Sequence, residues 1–127
     1  MPAHAVETLR ISISQGFQPV LESLKPRLSQ QLGMNIEVVP RPNLVLYNDF
    51  NKKTVNSDVV IFGHTHMFEQ DYKNKTLFVN PGEVCAREKP FIECVQLEIK
   101  ENEYIISRYF KKINEKNFKK EEYIYER

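Results

Sequence analysis

No apolar run in this sequence is long enough to cross a bilayer, its opening residues are read as lacking a secretory leader, and no internal repeat or low-complexity tract interrupts it. A soluble, globular, cytoplasmic protein with no membrane partner is expected. Charge of one sign is lacking as well: 18 Lys and Arg stand against 17 Asp and Glu, for a net charge of +1. Nothing global therefore points to nucleic acid or to an anionic membrane, and partners must be argued locally. Cysteine is scarce. Cys85 and Cys94 have no metal-binding spacing, so they read as a loop thiol and a strand packing residue, with a disulfide between them the lesser expectation in a reducing compartment. His4 reads as a solvated residue of a loose terminus. What is present is 127 residues of which 41% are hydrophobic, enough for one domain, or one domain plus a fragment, with a real core.

The most informative stretch is Asp58-Val59-Val60-Ile61-Phe62-Gly63-His64-Thr65-His66. Its apolar, β-branched run reads as a buried strand that stops at a glycine and presents two imidazoles just beyond, where α/β proteins place their chemistry. Gly63 permits a bent loop, and such a loop can turn both rings toward one or two ions. A bare His-x-His would be a pair of surface histidines; the strand and glycine upstream favour metal ligands. Asp58, just before the strand, either caps or terminates a helix or orients the second ring nitrogen of His64. Glu69 and Asp71 are candidates for extra metal oxygens.

Leu9, Ile11 and Ile13 alternate with polar residues over 9–14, as a half-buried strand does. Phe17, Val20, Leu21, Leu24, Leu28 and Leu32 then recur at helical spacing, with Pro19 in the first turn and Gly33 placed to terminate. Pro26 should kink or split that helix. Residues 36–39 form a second strand, completing a strand-helix-strand unit. Residues 43–57 suggest a short helix facing inward through Leu44, Tyr47 and Val55, and 67–74 is polar and turn-like, with a tight reversal at Asn74-Lys75. Residues 76–79 form a short strand running into Asn80-Pro81-Gly82. Residues 91–99 and 104–110 pattern as an antiparallel hairpin with Phe91, Val95, Leu97 and Ile99 on one side. A charged, solvated connection over 111–122 leads to a last edge strand at 123–125. Tyr104, Tyr109, Tyr123 and Tyr125 read as sheet surface. Arg87 and Lys89 either meet a substrate phosphate or, more simply, are solvated loop charges.

The Gly63-His64-Thr65-His66 loop followed by Leu77-Phe78-Val79-Asn80-Pro81-Gly82 resembles the calcineurin-like metallophosphoesterases, above all their small bacterial and archaeal phosphodiesterases. Those proteins close with a strand ending in Gly-His-x-His and a nearby Asn-Pro-Gly turn, and the likeness covers residues 43–127. It implies that His64 coordinates the second of two metal ions and His66 the first. Gly63, Asn80, Pro81 and Gly82 would shape the site. The implied cofactor is a divalent metal, manganese first, with zinc, nickel or iron as alternatives, and the implied substrate is a phosphoester. Glu83 stands where many relatives carry serine. In that chemistry two ions about 3.5 to 4 Å apart hold a hydroxide and neutralise phosphate oxygens during in-line attack.

Relatives draw their other ligands from an early Asp-x-His, a Gly-Asp-x-x-Asp, a Gly-Asn-His and a further His-Gly. The first three have no counterpart here, and for the fourth only Gln15-Gly16 is available, with glutamine in place of the ligand and too great a separation from His64. The expectation is a phosphoesterase family member, incomplete and inactive as this chain alone, whose site a second chain or a homo-oligomer completes. The alternative is a non-catalytic scaffold with the same fold, as in the retromer subunit of that superfamily, which His66-Met67-Phe68-Glu69 and the 118–125 ending also resemble. The fold expected is α/β: a partial metallophosphoesterase sandwich, namely a C-terminal sheet with its antiparallel hairpin, preceded by the strand-helix-strand unit. Its inner face should be apolar and exposed. Residues 9–40, less specifically, are similar to the opening of phosphonate-type periplasmic substrate-binding proteins. Residues 1–42 are accordingly read as a segment of separate origin and 43–127 as the C-terminal part of a phosphoesterase domain. A solute-binding fragment ranks last, since one such unit lacks the lobe needed to enclose a ligand.

Overall fold

The computed structural model describes residues 7–51, 55–84, 86 and 89–127; His4, Cys85 and Arg87 lie outside the described residues. Strand β1, Thr8–Ser14, buries Leu9, Ile11 and Ile13 on one side, as their alternation requires. A single 3-10 turn, Gln15–Phe17, leads into helix α1, Gln18–Leu32. Pro19 sits in its first turn, and Gly33 closes it with a left-handed φ of 64° while its N–H reaches the Ser29 carbonyl at 2.9 Å. Contrary to the sequence expectation, α1 runs unbroken through Pro26. Pro26 and Glu22 are both exposed, so water can serve the Glu22 carbonyl that has lost its donor. The buried stripe of α1 is also narrower than its apolar pattern. Leu21, Leu28 and Leu32 pack inward, whereas Val20 and Leu24, with Phe17 just before the helix, stay exposed.

Strand β2, Asn35–Arg41, returns parallel to β1, and helix α2 spans Asn43–Asp49. Its inward residue is Leu46, fully buried, not the expected Leu44, which is 54% exposed. Tyr47, Phe50 and Val55 pack beside Leu46 against Val60, Phe62 and Phe78. Strand β3, Val59–Ile61, lies parallel to β1, with Ile11, Ser12 and Ile13 opposite Val59, Val60 and Ile61. Residues 67–74, expected as a turn, instead supply strand β4, Phe68–Lys73, antiparallel to β5, Thr76–Pro81. The reversal between them is at Asn74 and Lys75, both at positive φ, as a two-residue hairpin prefers. β4 is an edge strand paired on one side only, so Glu69, Gln70 and Asp71 are tolerated there and hide its character.

These strands form one sheet in the order β2-β1-β3-β5-β4. A second, antiparallel sheet holds β6, Phe91–Ile99, β7, Glu103–Lys112, and β8, Lys119–Glu126. β8 begins within the stretch read as a solvated connection. One core joins the sheets: Leu9, Ile11, Val59 and Leu77 from the first meet Tyr104 and Ile106 from the second, with Val95, Leu97, Tyr123 and Tyr125 packed around them. The apolar inner face expected to be exposed is therefore covered. Residues on both sides of position 42 contribute strands to the same sheet. Tyr104 is core rather than sheet surface, and burial pushes its hydroxyl above the usual phenol range. Cys94 is exposed, on the outward side of β6, instead of packed. No helix among the described residues is long and apolar enough to cross a membrane.

Candidate functional site

The candidate loop leaves the carboxyl end of β3. Gly63 donates its N–H to the Asn43 side chain at 3.1 Å, tying the loop to the start of α2. His64 and His66 both take left-handed backbone angles, φ 86° and 63°, a costly conformation for residues with side chains. Asn80, fully buried at the end of β5, holds that bend in place. Its amide donates to the Gly63 carbonyl at 3.3 Å and the Thr65 hydroxyl at 3.0 Å, and its oxygen accepts the Gly82 N–H at 3.1 Å. Thr65 in turn donates to Glu69 at 3.2 Å and receives the Met67 N–H at 3.3 Å. The two motifs, far apart in sequence, are thus one hydrogen-bonded unit, because β3 and β5 are parallel neighbours that end together.

The His66 imidazole donates from Nδ1 to the Glu83 carboxylate at 2.7 Å. Glu83 is buried; its other oxygen accepts the Lys89 N–H at 3.2 Å, and its carbonyl accepts the Glu93 N–H at 3.1 Å. A carboxylate only accepts, so the Nδ1 proton is fixed and Nε2 is the ring's remaining ligating nitrogen. His64 is exposed and its ring lies 5.4 Å, centre to centre, from that of Tyr47. Behind Glu83 runs a buried ionic chain. Lys89 pairs with Glu93, Arg108 grips the same carboxylate through Nε at 2.8 Å and Nη2 at 2.7 Å, and Arg108 reaches Glu121 at 3.1 Å. Burial pushes the Lys89 ammonium below its ordinary range, against the pull of Glu83. Gly82, at φ 78°, passes so close to Glu93 that a Cβ there would stand 2.0 Å from Oε1.

Gly63, Asn80 and Gly82 meet around the loop, with Pro81 between the last two, and His66 joins them through Glu83. Asp58 does not orient His64: its carboxylate accepts the Arg10 backbone N–H at 2.8 Å, at the opposite end of β3. Glu69 serves Thr65, and Lys89 is 8% exposed instead of solvated. Gln15-Gly16 follow β1 at the same sheet end as Gly63, because β1 and β3 are parallel. Asn43 and Glu93 escaped sequence reasoning as parts of the site, whereas Glu83 was legible as a pocket neighbour in a serine position, though not as the partner of His66. An apolar cavity of about 230 Å³ opens beside the loop, lined by Ile13, Phe17, Ile61, Phe62 and Pro81.

A two-ion centre needs about four donors per ion. Among the described residues, no group of three or more His, Cys, Asp or Glu is arranged to hold a metal. This donor set does not fit a two-ion centre.

The chain belongs to the calcineurin-like phosphoesterase superfamily: the family model for that domain matches residues 30–102. Among solved structures, a double mutant of Vps29 from Entamoeba histolytica is 16% identical with a TM-score of 0.51, the alignment covering 96% of this chain and 84% of that one. That likeness shows the metallophosphoesterase fold. A single mutant of the same protein is 23% identical with a TM-score of 0.48, over 65% of this chain and 45% of that one, so this chain spans less than half of that relative. A conserved predicted phosphoesterase of Streptococcus pneumoniae is 16% identical with a TM-score of 0.46, over 98% and 100% of the two chains. No curated protein matches the chain.

Proposed function

We propose that this chain is a phosphoesterase-fold module, hydrolytically silent by itself, in which His64 and His66 are the remaining metal-facing residues. The donor set supports this most directly: His66 has Nδ1 committed to Glu83, and His64 lies against Tyr47. Two imidazoles would hold one divalent ion loosely, manganese by family precedent, with zinc, nickel or iron as alternatives. A phosphoester becomes a substrate only where a second chain or a second copy completes the ligand set. On this reading residues 1–42 and 43–127 differ in origin even though they share a sheet, and the chain works in the cytoplasm.

The test is metal content and turnover of a chromogenic phosphodiester by the purified chain with added manganese, beside the His64→Ala/His66→Ala variant. The expected result is less than one tightly held ion per chain and no turnover above the variant. Turnover that the double substitution abolishes would overturn the proposal. The apolar cavity beside the loop favours a second reading, a scaffold that seats a protein partner over the silent site.

A further inference from the structure

Strand β1 lies inside a parallel run of the sheet, with β2 on one side and β3 on the other. Such strands are ordinarily apolar on both faces. Here only the inner face is: Leu9, Ile11 and Ile13 enter the core, while the outer face carries Arg10, Ser12 and Ser14. These outer residues are not simply turned to solvent. Ser12 is 3% exposed and shares a 2.6 Å hydrogen bond with the Ser57 hydroxyl. Above this polar floor lies a cleft of about 260 Å³, walled by α2 on one side and by Asn56 and Ser57 on the other, with Arg41 at its rim. A second cleft of about 190 Å³ continues from it past Arg10 toward Lys75.

Arg10 is the informative residue. Its Nε is buried and has no hydrogen-bond partner, and the Glu37 carboxylate stands 3.9 Å away, beyond bonding distance. That atom has no open surface of its own, so Arg10 meets the cleft it lines through the rest of its side chain. The groups around the cleft come from different directions: Arg10 from the floor, Asn56 from one wall and Arg41 from the rim, whereas the Ser57 hydroxyl donates to the Asn56 carbonyl at 2.8 Å and Ser12 donates to Ser57, so both serine protons are already used. Donors spread over floor and walls suit a tetrahedral oxyanion better than a planar carboxylate. The neighbouring carboxylates limit its size and charge. Asp49 lines the same cleft, and Asp58 accepts the Arg10 backbone N–H. Among the described residues the cleft is therefore not strongly cationic, which disfavours a polyanion such as a nucleic-acid backbone.

We propose that the cleft bounded by Arg10, Ser12, Arg41 and Ser57, on the outer face of β1, is a binding site for a single phosphate group distinct from the His64–His66 loop. The probe is inorganic phosphate, titrated into the full chain at constant ionic strength with chloride as the balancing ion, and followed by amide and arginine side-chain NMR. The expected result is saturable shifts at Ser12, Ser57 and the side chains of Arg10 and Arg41, with acetate producing none. Arg41→Gln, at an exposed position, and Arg10→Met, which keeps the apolar stem, should each weaken binding at least about tenfold. The His64→Ala/His66→Ala variant should bind phosphate as the parent does. Three outcomes would overturn the proposal: shifts centred on His64 and His66, equal shifts with acetate, or parental affinity in both arginine variants. Should Arg10→Met unfold, Arg41→Gln alone decides, because its side chain lies outside the core.

Discussion

Gly82 is the residue with the least freedom. It needs a left-handed backbone, and the space a side chain would take is filled by Glu93, whose carboxylate cannot swing away because Arg108 and Lys89 both hold it. Gly82→Ala is expected to cost at least about 2 kcal/mol, read as a lower urea midpoint, combining the φ penalty with displacement of a buried ion pair. A milder change tests the clasp on the loop. Glu83→Ser, which installs the residue many relatives carry, should release His66 from its single tautomer, visible as a change in the imidazole nitrogen chemical shifts of the metal-free protein. At this scale the sequence was legible where a motif is local: Gly63, His64 and His66 stand in one loop, and Asn80, Pro81 and Gly82 in one turn. It was illegible where a partner is distant. Nothing near His66 announces Glu83, and nothing near Glu93 announces Arg108, because a buried charge finds its counterion only after the strands are laid side by side.

Among the elements, the strands with apolar patterning on a buried face were legible, namely β1, β2, β3, β5 and the β6–β7 hairpin. β4 was not, since an edge strand keeps polar residues that read as a turn, and neither was the start of β8, where charges line strand positions. Arg108 explains why a charged β8 holds its place. It spans the three-stranded sheet from Glu93 on β6 to Glu121 on β8, and its guanidinium lies 4.3 Å from the centre of the Phe110 ring and 4.9 Å from that of Phe68. Arg108→Ala is expected to destabilise the chain by about 3 kcal/mol, at the lower end for a broken buried pair because Lys89 still faces Glu93. Glu121→Gln should cost under about 1 kcal/mol, because that end of the pair is more exposed. Denaturant unfolding of the two variants checks the ratio.

For the molecule as a whole, strands from both sides of residue 42 share one sheet, so the two segments proposed to differ in origin are not mechanically separate. A fragment of residues 43–127 would lose β1, β2 and the helix that covers them, leaving Val59, Leu77, Tyr104 and Ile106 without their partners. It is expected to give a disordered circular-dichroism spectrum and to bind a hydrophobic dye, whereas the full chain melts cooperatively. β1, the first strand among the described residues, sits between β2 and β3. During synthesis β1 can pair with β2 once Asn35–Arg41 is made, but its other edge stays bare through residues 42–58, until Val59–Ile61 follows. That interval is a window for mispairing with another nascent chain. The polar outer face of β1, with Arg10, Ser12 and Ser14 in a row, makes the waiting edge a poor template for aggregation, so a residue pattern suited to a ligand in the finished protein also guards its synthesis.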